Sequence, residues 1–122
     1  MFDAPLLTLQ NLSLPAAEIT GILQAWQNQV SKDTGVAFNL SENDIHLCYI
    51  AMQYRLKGEV MQWLKSSRAQ LRQVLYAADV SPESLSAALQ NSPHQTEAEV
   101  IVQQLLQRCL QKVLMRRLFS QS

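Results

Sequence analysis

Val36-Ala37-Phe38-Asn39-Leu40-Ser41-Glu42-Asn43-Asp44-Ile45-His46-Leu47-Cys48-Tyr49-Ile50 admits two readings, and the choice between them decides the fold class. In the first, Val36, Phe38 and Leu40 alternate with Ala37 and Asn39, and Ile45, Leu47 and Tyr49 alternate with His46 and Cys48. That period of two suits a β-hairpin turning at Ser41-Glu42-Asn43-Asp44. In the second, the same four residues open a helix. Ser41 with Asp44 three residues on resembles a capping box, with Asp where Glu or Gln is usual, and Leu40 and Ile45 stand at the N′ and N4 positions of a hydrophobic staple. From Ile45 to Tyr54 apolar residues surround the helical wheel, as in a buried central helix. The helix is the preferred reading. The hairpin at 36–50 is the alternative and would make the fold α+β.

Outward from this stretch the helical signals agree with one another. Upstream, Ser13-Leu14-Pro15 opens a helix, with Ser13 or Leu14 at the cap and Pro15 in the first turn, where a missing N–H costs nothing. Ile19, Ile22, Leu23, Trp26 and Val30 line one face, Thr20, Gly21, Gln24, Gln27 and Asn28 the other, and Gly35 suits the C-terminal stop. Residues 1–12 precede it as an apolar arm carrying Phe2, Leu6, Leu7, Leu9 and Leu12. Downstream, Val60, Trp63, Leu64, Leu71, Val74, Leu75 and Ala78 share one arc, with Gly58 as a kink or break before it. Asp79-Val80-Ser81-Pro82-Glu83 stops and restarts the chain, with Ser81 as cap and Pro82 at the first helical position of a short helix to about Gln90, Leu85, Ala88 and Leu89 inward. Thr96-Glu97-Ala98-Glu99 is a capping box for the last helix. Acidic residues sit at these starts and basic ones near later turns, as the helix dipole favours. The expectation is one all-α domain of four to five helices spanning 1–122.

Composition narrows the function classes. At 122 residues, 48% of them apolar, the chain builds one core and is too short for two. Ten basic and ten acidic residues cancel, which counts against an autonomous nucleic-acid binder. Only 16% of the residues are charged and Gln is frequent, so the surface repels other proteins weakly. Cys48 and Cys109 lie inside apolar runs, where thiols behave as small buried hydrophobes, and a disulfide is the minor reading. The opening Met1-Phe2-Asp3-Ala4-Pro5 lacks the look of a secretory leader, and the longest apolar stretch, Leu47 to Met52, is too short for a membrane span. A cytoplasmic location is expected, with no membrane partner.

Candidate chemistry is sparse. On a helix His46 and Cys48 point to opposite sides and cannot share an ion, and His94 and Cys109 add no diagnostic spacing, so no metal site and no cofactor are expected. A Cys48–His94 dyad is the one catalytic pairing open, without a nucleophile elbow or a Gly-rich phosphate loop to support it, and an enzyme is not expected. Lys65, Arg68 and Arg72 share a face of the middle helix close to Arg55 and Lys57, a candidate phosphate-contacting stripe beside the turn at 79–81. Asp44-Ile45, Leu47, Tyr49 and Arg55-Leu56 resemble the opening helix of the small D subunit of the bacterial flagellar transcription activator, over that one amphipathic segment. The resemblance implies an all-helical regulatory subunit acting through a partner.

The last helix carries the leading functional expectation. Ala98, Ile101, Val102, Leu105, Leu106, Cys109, Leu110 and Val113 form one half of the wheel. After Val113 the phase inverts: Leu114, Met115 and Leu118 leave the core side while Arg116 and Arg117 turn toward it. Residues 114–122 are therefore expected to be an interaction tail, with Leu114, Met115, Leu118 and Phe119 as its contacts. The expected function is a non-catalytic adaptor or chaperone-like subunit of a bacterial assembly, its partner another protein or further copies of itself. A transcription-regulator subunit contacting DNA through Arg55, Lys57, Lys65, Arg68 and Arg72 is the alternative.

Overall fold

The bonding of the backbone between residues 35 and 40 decides between hairpin and helix. A computed structural model of the chain describes residues 14–40 and 44–120, the side chains of 118–120 excepted. The 35–40 segment is irregular, and a side chain stands where a neighbouring strand would be. Gln27 Nε2 donates to the Leu40 carbonyl (3.4 Å) and Gln27 Oε1 accepts from the Leu40 N–H (3.2 Å). At the other end the Val36 N–H donates to Thr34 Oγ1 (3.1 Å), and that hydroxyl donates to the Val30 carbonyl (2.7 Å). The period of two is real in burial, since Val36, Phe38 and Leu40 turn inward while Ala37 and Asn39 face out. It records a chain laid along a helix surface. Gln27, expected on the polar back of the first helix, is only 3% exposed because it does this work.

Five helices and no strand occur among the described residues: α1 (Ala16–Thr34), α2 (Ile45–Ser66), α3 (Arg68–Ala77), α4 (Pro82–Gln90) and α5 (Glu97–Ser120). They form a single all-α domain. The apolar arm at 1–12 and the proposed cap residue Ser13 lie outside the described residues.

The starts differ from expectation in two places. Pro15 occupies the cap position of α1 (φ −58°, ψ 150°), one residue before the first turn, and its carbonyl accepts from Glu18 and Ile19. The cap of α2 is Asp44, whose Oδ1 accepts from the Leu47 N–H at 3.0 Å; Ser41 lies outside the described residues. A carboxylate caps as well as a hydroxyl, and Asp44 is the last extended residue before Ile45. The staple keyed to a Ser41 cap goes with that cap, although Leu40 and Ile45 both pack at the edge of the core. Asp44→Ala is therefore expected to cost ~0.5–2 kcal/mol in chemical denaturation. Wild-type backbone shifts should be helical from Ile45 onward, and strand-type shifts across Ile45 to Ile50 would contradict this start.

The break expected at Gly58 comes later. Leu56 and Val60, both 0% exposed, anchor the helix on either side of Gly58, and their burial outweighs the ~1 kcal/mol a helical glycine costs. The helix stops at Ser66-Ser67 instead, where Ser66 Oγ donates back to the Gln62 carbonyl (3.2 Å) and Ser67 turns extended (φ −155°, ψ 70°). Further on, α3 ends at Ala77, and Asp79 two residues later adopts a left-handed conformation (φ 61°). Ser81 caps α4 through the Ser84 N–H (3.1 Å), with Pro82 in its first turn. The Thr96–Glu99 capping box forms in both directions, Glu99 N–H to Thr96 Oγ1 (3.2 Å) and Thr96 N–H to Glu99 (2.8 Å). Those bonds, with Lys57 nearby, hold the Glu99 carboxyl below its ordinary value.

The long α5 packs along both α1 and α2, α3 joins α1 and α2, and α4 lies on α5. All eight apolar residues assigned to the inner half of α5 are buried, and Val100 joins them. Trp26 sits at the centre, 1% exposed, with Nε1 donating to the Leu106 carbonyl (3.0 Å) and its ring stacked on Tyr49 at 6.1 Å. Trp63, which the sequence sets on one apolar arc with Val60, Leu71 and Val74, is only half-buried. Its wheel position is right, but no residue from Met61 to Gln70 is fully buried, so the α2–α3 joint projects beyond the core.

Candidate functional site

Two clusters need an explanation: a buried polar node between α1 and α5, and an outward apolar face on α2. In the node, Asp33 Oδ2 accepts from Lys112 Nζ (2.9 Å), Gln29 Nε2 (3.0 Å) and Cys109 Sγ (3.5 Å). Lys112 also donates to the Ala77 carbonyl (3.0 Å), and Arg116 donates to Gln29 Oε1 (2.6 Å). Burial, with the Asp33 carboxylate beside it, pushes the Cys109 thiol far above its ordinary value. A nucleophilic thiol needs the opposite shift. The node therefore acts as a clamp that ties α5 to α1 and α3. Sequence reading missed it because Lys112 and Cys109 are far along the chain from Asp33, and the Gln29–Asp33 pair, one turn apart on α1, gives no local sign of burial.

The arginines after Val113 behave as the phase inversion predicts. Arg116 reaches Gln29, and Arg117 pairs with Glu18 (3.0 Å), both on α1. Leu114 does not behave as expected: it is 9% exposed and belongs to the core cluster, so it is withdrawn from the proposed outward tail. It extends the core stripe of α5 by about 40° beyond Leu110 at 3.6 residues per turn, a step that α1 covers together with the two arginines. Met115 is exposed at 44%, while the side chains of Leu118 and Phe119 lie outside the described residues.

Of the basic residues, Arg55, Lys65, Arg68 and Arg72 are exposed, and Lys57 pairs with Glu99 (3.6 Å). They do not share one helix. The break at Ser67 divides Lys65 on α2 from Arg68 and Arg72 on α3. Cys48 is fully buried on the inner face of α2, whereas His94 is exposed in the loop before α5, which does not favour the dyad. His46 is exposed and Cys48 buried, the opposed placement that i and i+2 take on a helix. Neither Cys48 nor Cys109 is in a disulfide, and no group of three His, Cys, Asp or Glu among the described residues is placed to hold a metal ion. No helix among them is long and apolar enough to cross a membrane.

The remaining feature is the outer face of α2. Cys48, Met52, Leu56 and Val60 are its inner side. On the opposite side Leu47 (52% exposed), Ile50 (56%), Tyr54 (85%) and Met61 (54%) stand in line. They fall within about 60° of arc at 3.6 residues per turn. Met61 also borders an open cleft of about 490 Å³ between the end of α2 and the start of α5, lined further by Lys57, Leu64, Lys65 and Ala98. The all-round apolar wheel of α2 thus divides into a core face and a free one, which corrects the fully buried central helix expected from sequence. The signal for the free face was present as a heptad: 47, 54 and 61 in one row, 50, 57 and 64 in the other. Comparisons with protein families, with curated proteins and with solved structures find no match to this chain. The likeness of its 44–56 segment to the flagellar regulator subunit therefore carries no argument about function.

Proposed function

We propose that the chain is a non-catalytic protein-interaction subunit, an adaptor or chaperone-like part of a larger assembly, which docks through the outer face of α2. The observation behind this is the aligned exposure of Leu47, Ile50, Tyr54 and Met61. Single exposed hydrophobics are ordinary, but a row of them on one helix face is a recognised mark of an interaction site. Full burial of such a side chain is worth ~1.5–3 kcal/mol, of which a partner would supply about half at Leu47, Ile50 and Met61 and most at Tyr54. The low charge density removes an obstacle to association. At the end of α5, Met115 with Leu118 and Phe119 is retained as a smaller contact, without Leu114.

Ile50→Asp with Tyr54→Asp tests this reading. Both side chains face outward, so helical content should persist and stability should change by about 0.5 kcal/mol or less per substitution. The proteins recovered with tagged wild-type chain from its native cell should be lost from the variant. Recovery of the same proteins at the same yield by the well-folded variant would overturn the proposal.

A further inference from the structure

We infer that the partner of this face is a second copy of the chain, with the two α2 helices packed antiparallel about a two-fold axis passing between Arg55 and Leu56. The inference rests on the docking role proposed for α2 and adds the occupant and its register. A two-fold interface must be complementary to itself, so each residue of the seam needs a fitting counterpart at the mirrored position. In this register the two heptad rows interleave. Leu47 meets Leu64 of the second copy, Ile50 meets Met61, and Tyr54 meets Lys57, each layer occurring twice by symmetry. The first two layers are wholly apolar. The third lays the Lys57 ammonium, which stands 3.6 Å from Glu99 at a part-exposed pair in the single chain, beside an aromatic ring that is 85% exposed there, an arrangement suited to cation–π attraction.

The positions flanking the seam agree with the same register. Ala51 lies against Gly58 of the second copy, two small residues that let the backbones approach, and the space around Gly58 is open in the single chain. At both ends Asp44 reaches Lys65 of the second copy. Asp44 and Lys65 are both exposed, and Lys65 has no ion pair among the described residues. Opposed charges at the ends fix orientation more than they add strength.

The test uses the full chain with its native buried cysteines. Sedimentation equilibrium of the wild type should give twice the 13.8 kDa chain mass at high concentration, and Ile50→Asp should raise the dissociation constant about 100-fold or more, since both Ile50–Met61 layers are lost. Under mild oxidation, an equimolar mixture of Ile50→Cys and Met61→Cys chains should form a disulfide heterodimer. Either variant alone should link poorly, because its two cysteines stand about 16 Å apart along the axis at 1.5 Å per residue. A wild type that stays monomeric, or cysteines that link as well alone as mixed, overturns the inference. Neither result touches the broader docking role, which falls only if the aspartate double variant keeps its cellular partners.

Discussion

Trp26→Ala is expected to lower the unfolding free energy by ~3–5 kcal/mol, the usual cost of emptying a large aromatic site in a packed core. Domains of this size are stabilised by only ~5–15 kcal/mol, so the variant should be near the edge of folding. Three observations set the size of the effect: 1% exposure, the indole N–H bond to the Leu106 carbonyl, and the stacked Tyr49 ring. The Leu106 link crosses from α1 to α5, so the indole joins two helices that the sequence places far apart. Urea titrations of Trp26→Ala and Trp63→Ala should separate the two tryptophans. The second should lose much less, and emission from Trp63 alone should be redder and more easily quenched than emission from Trp26 alone. Equal losses, or a loss under ~1 kcal/mol for Trp26→Ala, would contradict the central position given to it.

Lys112→Met should be the most costly polar substitution. The Lys112–Asp33 pair has side chains 19% and 6% exposed, and removing the ammonium leaves the carboxylate with Gln29 and Cys109 as its donors. Breaking a buried pair from one side costs ~3–5 kcal/mol, and the partial exposure of Lys112 places this case at the lower end. Adding Asp33→Asn should recover most of the loss, because the uncompensated charge goes with it. Thermal melts of the two variants check this. A single-variant loss of only ~0–1 kcal/mol, as for a surface pair, would show that water reaches the node.

How far the sequence could be read depended on whether each signal was local. The Ser81-Pro82 restart, the Thr96–Glu99 box and the inner half of α5 were all legible, because caps and 3.6-residue periodicity act within a few residues. The order of the elements was legible too. The alternation at Val36, Phe38 and Leu40 pointed toward a strand, and what resolves it is a long-range fact: Gln27 supplies the bonds a strand would have needed. Gly58 looked like a break, yet buried neighbours on both sides overrode its propensity, while Ser66-Ser67 gave way where the core no longer held the chain. Of the candidate site, the C-terminal phase inversion correctly turned Arg116 and Arg117 toward α1 but misplaced Leu114. Apolar residues all round α2 were read as complete burial. A wheel reports hydrophobicity, and it cannot say which face meets the chain's own core and which awaits another surface.

The central claim, that α2 presents a face covered only in assembly, is tested most directly by oxidative footprinting of the intact protein in its native cell and after purification to high dilution. Tyr76 is the internal control, since it is 86% exposed on α3, a different helix from the proposed face. The account predicts that Tyr54 and Met61 are strongly protected in the cell and become reactive on dilution, while Tyr76 reacts alike in both. Tyr54 as reactive as Tyr76 in both settings would contradict it.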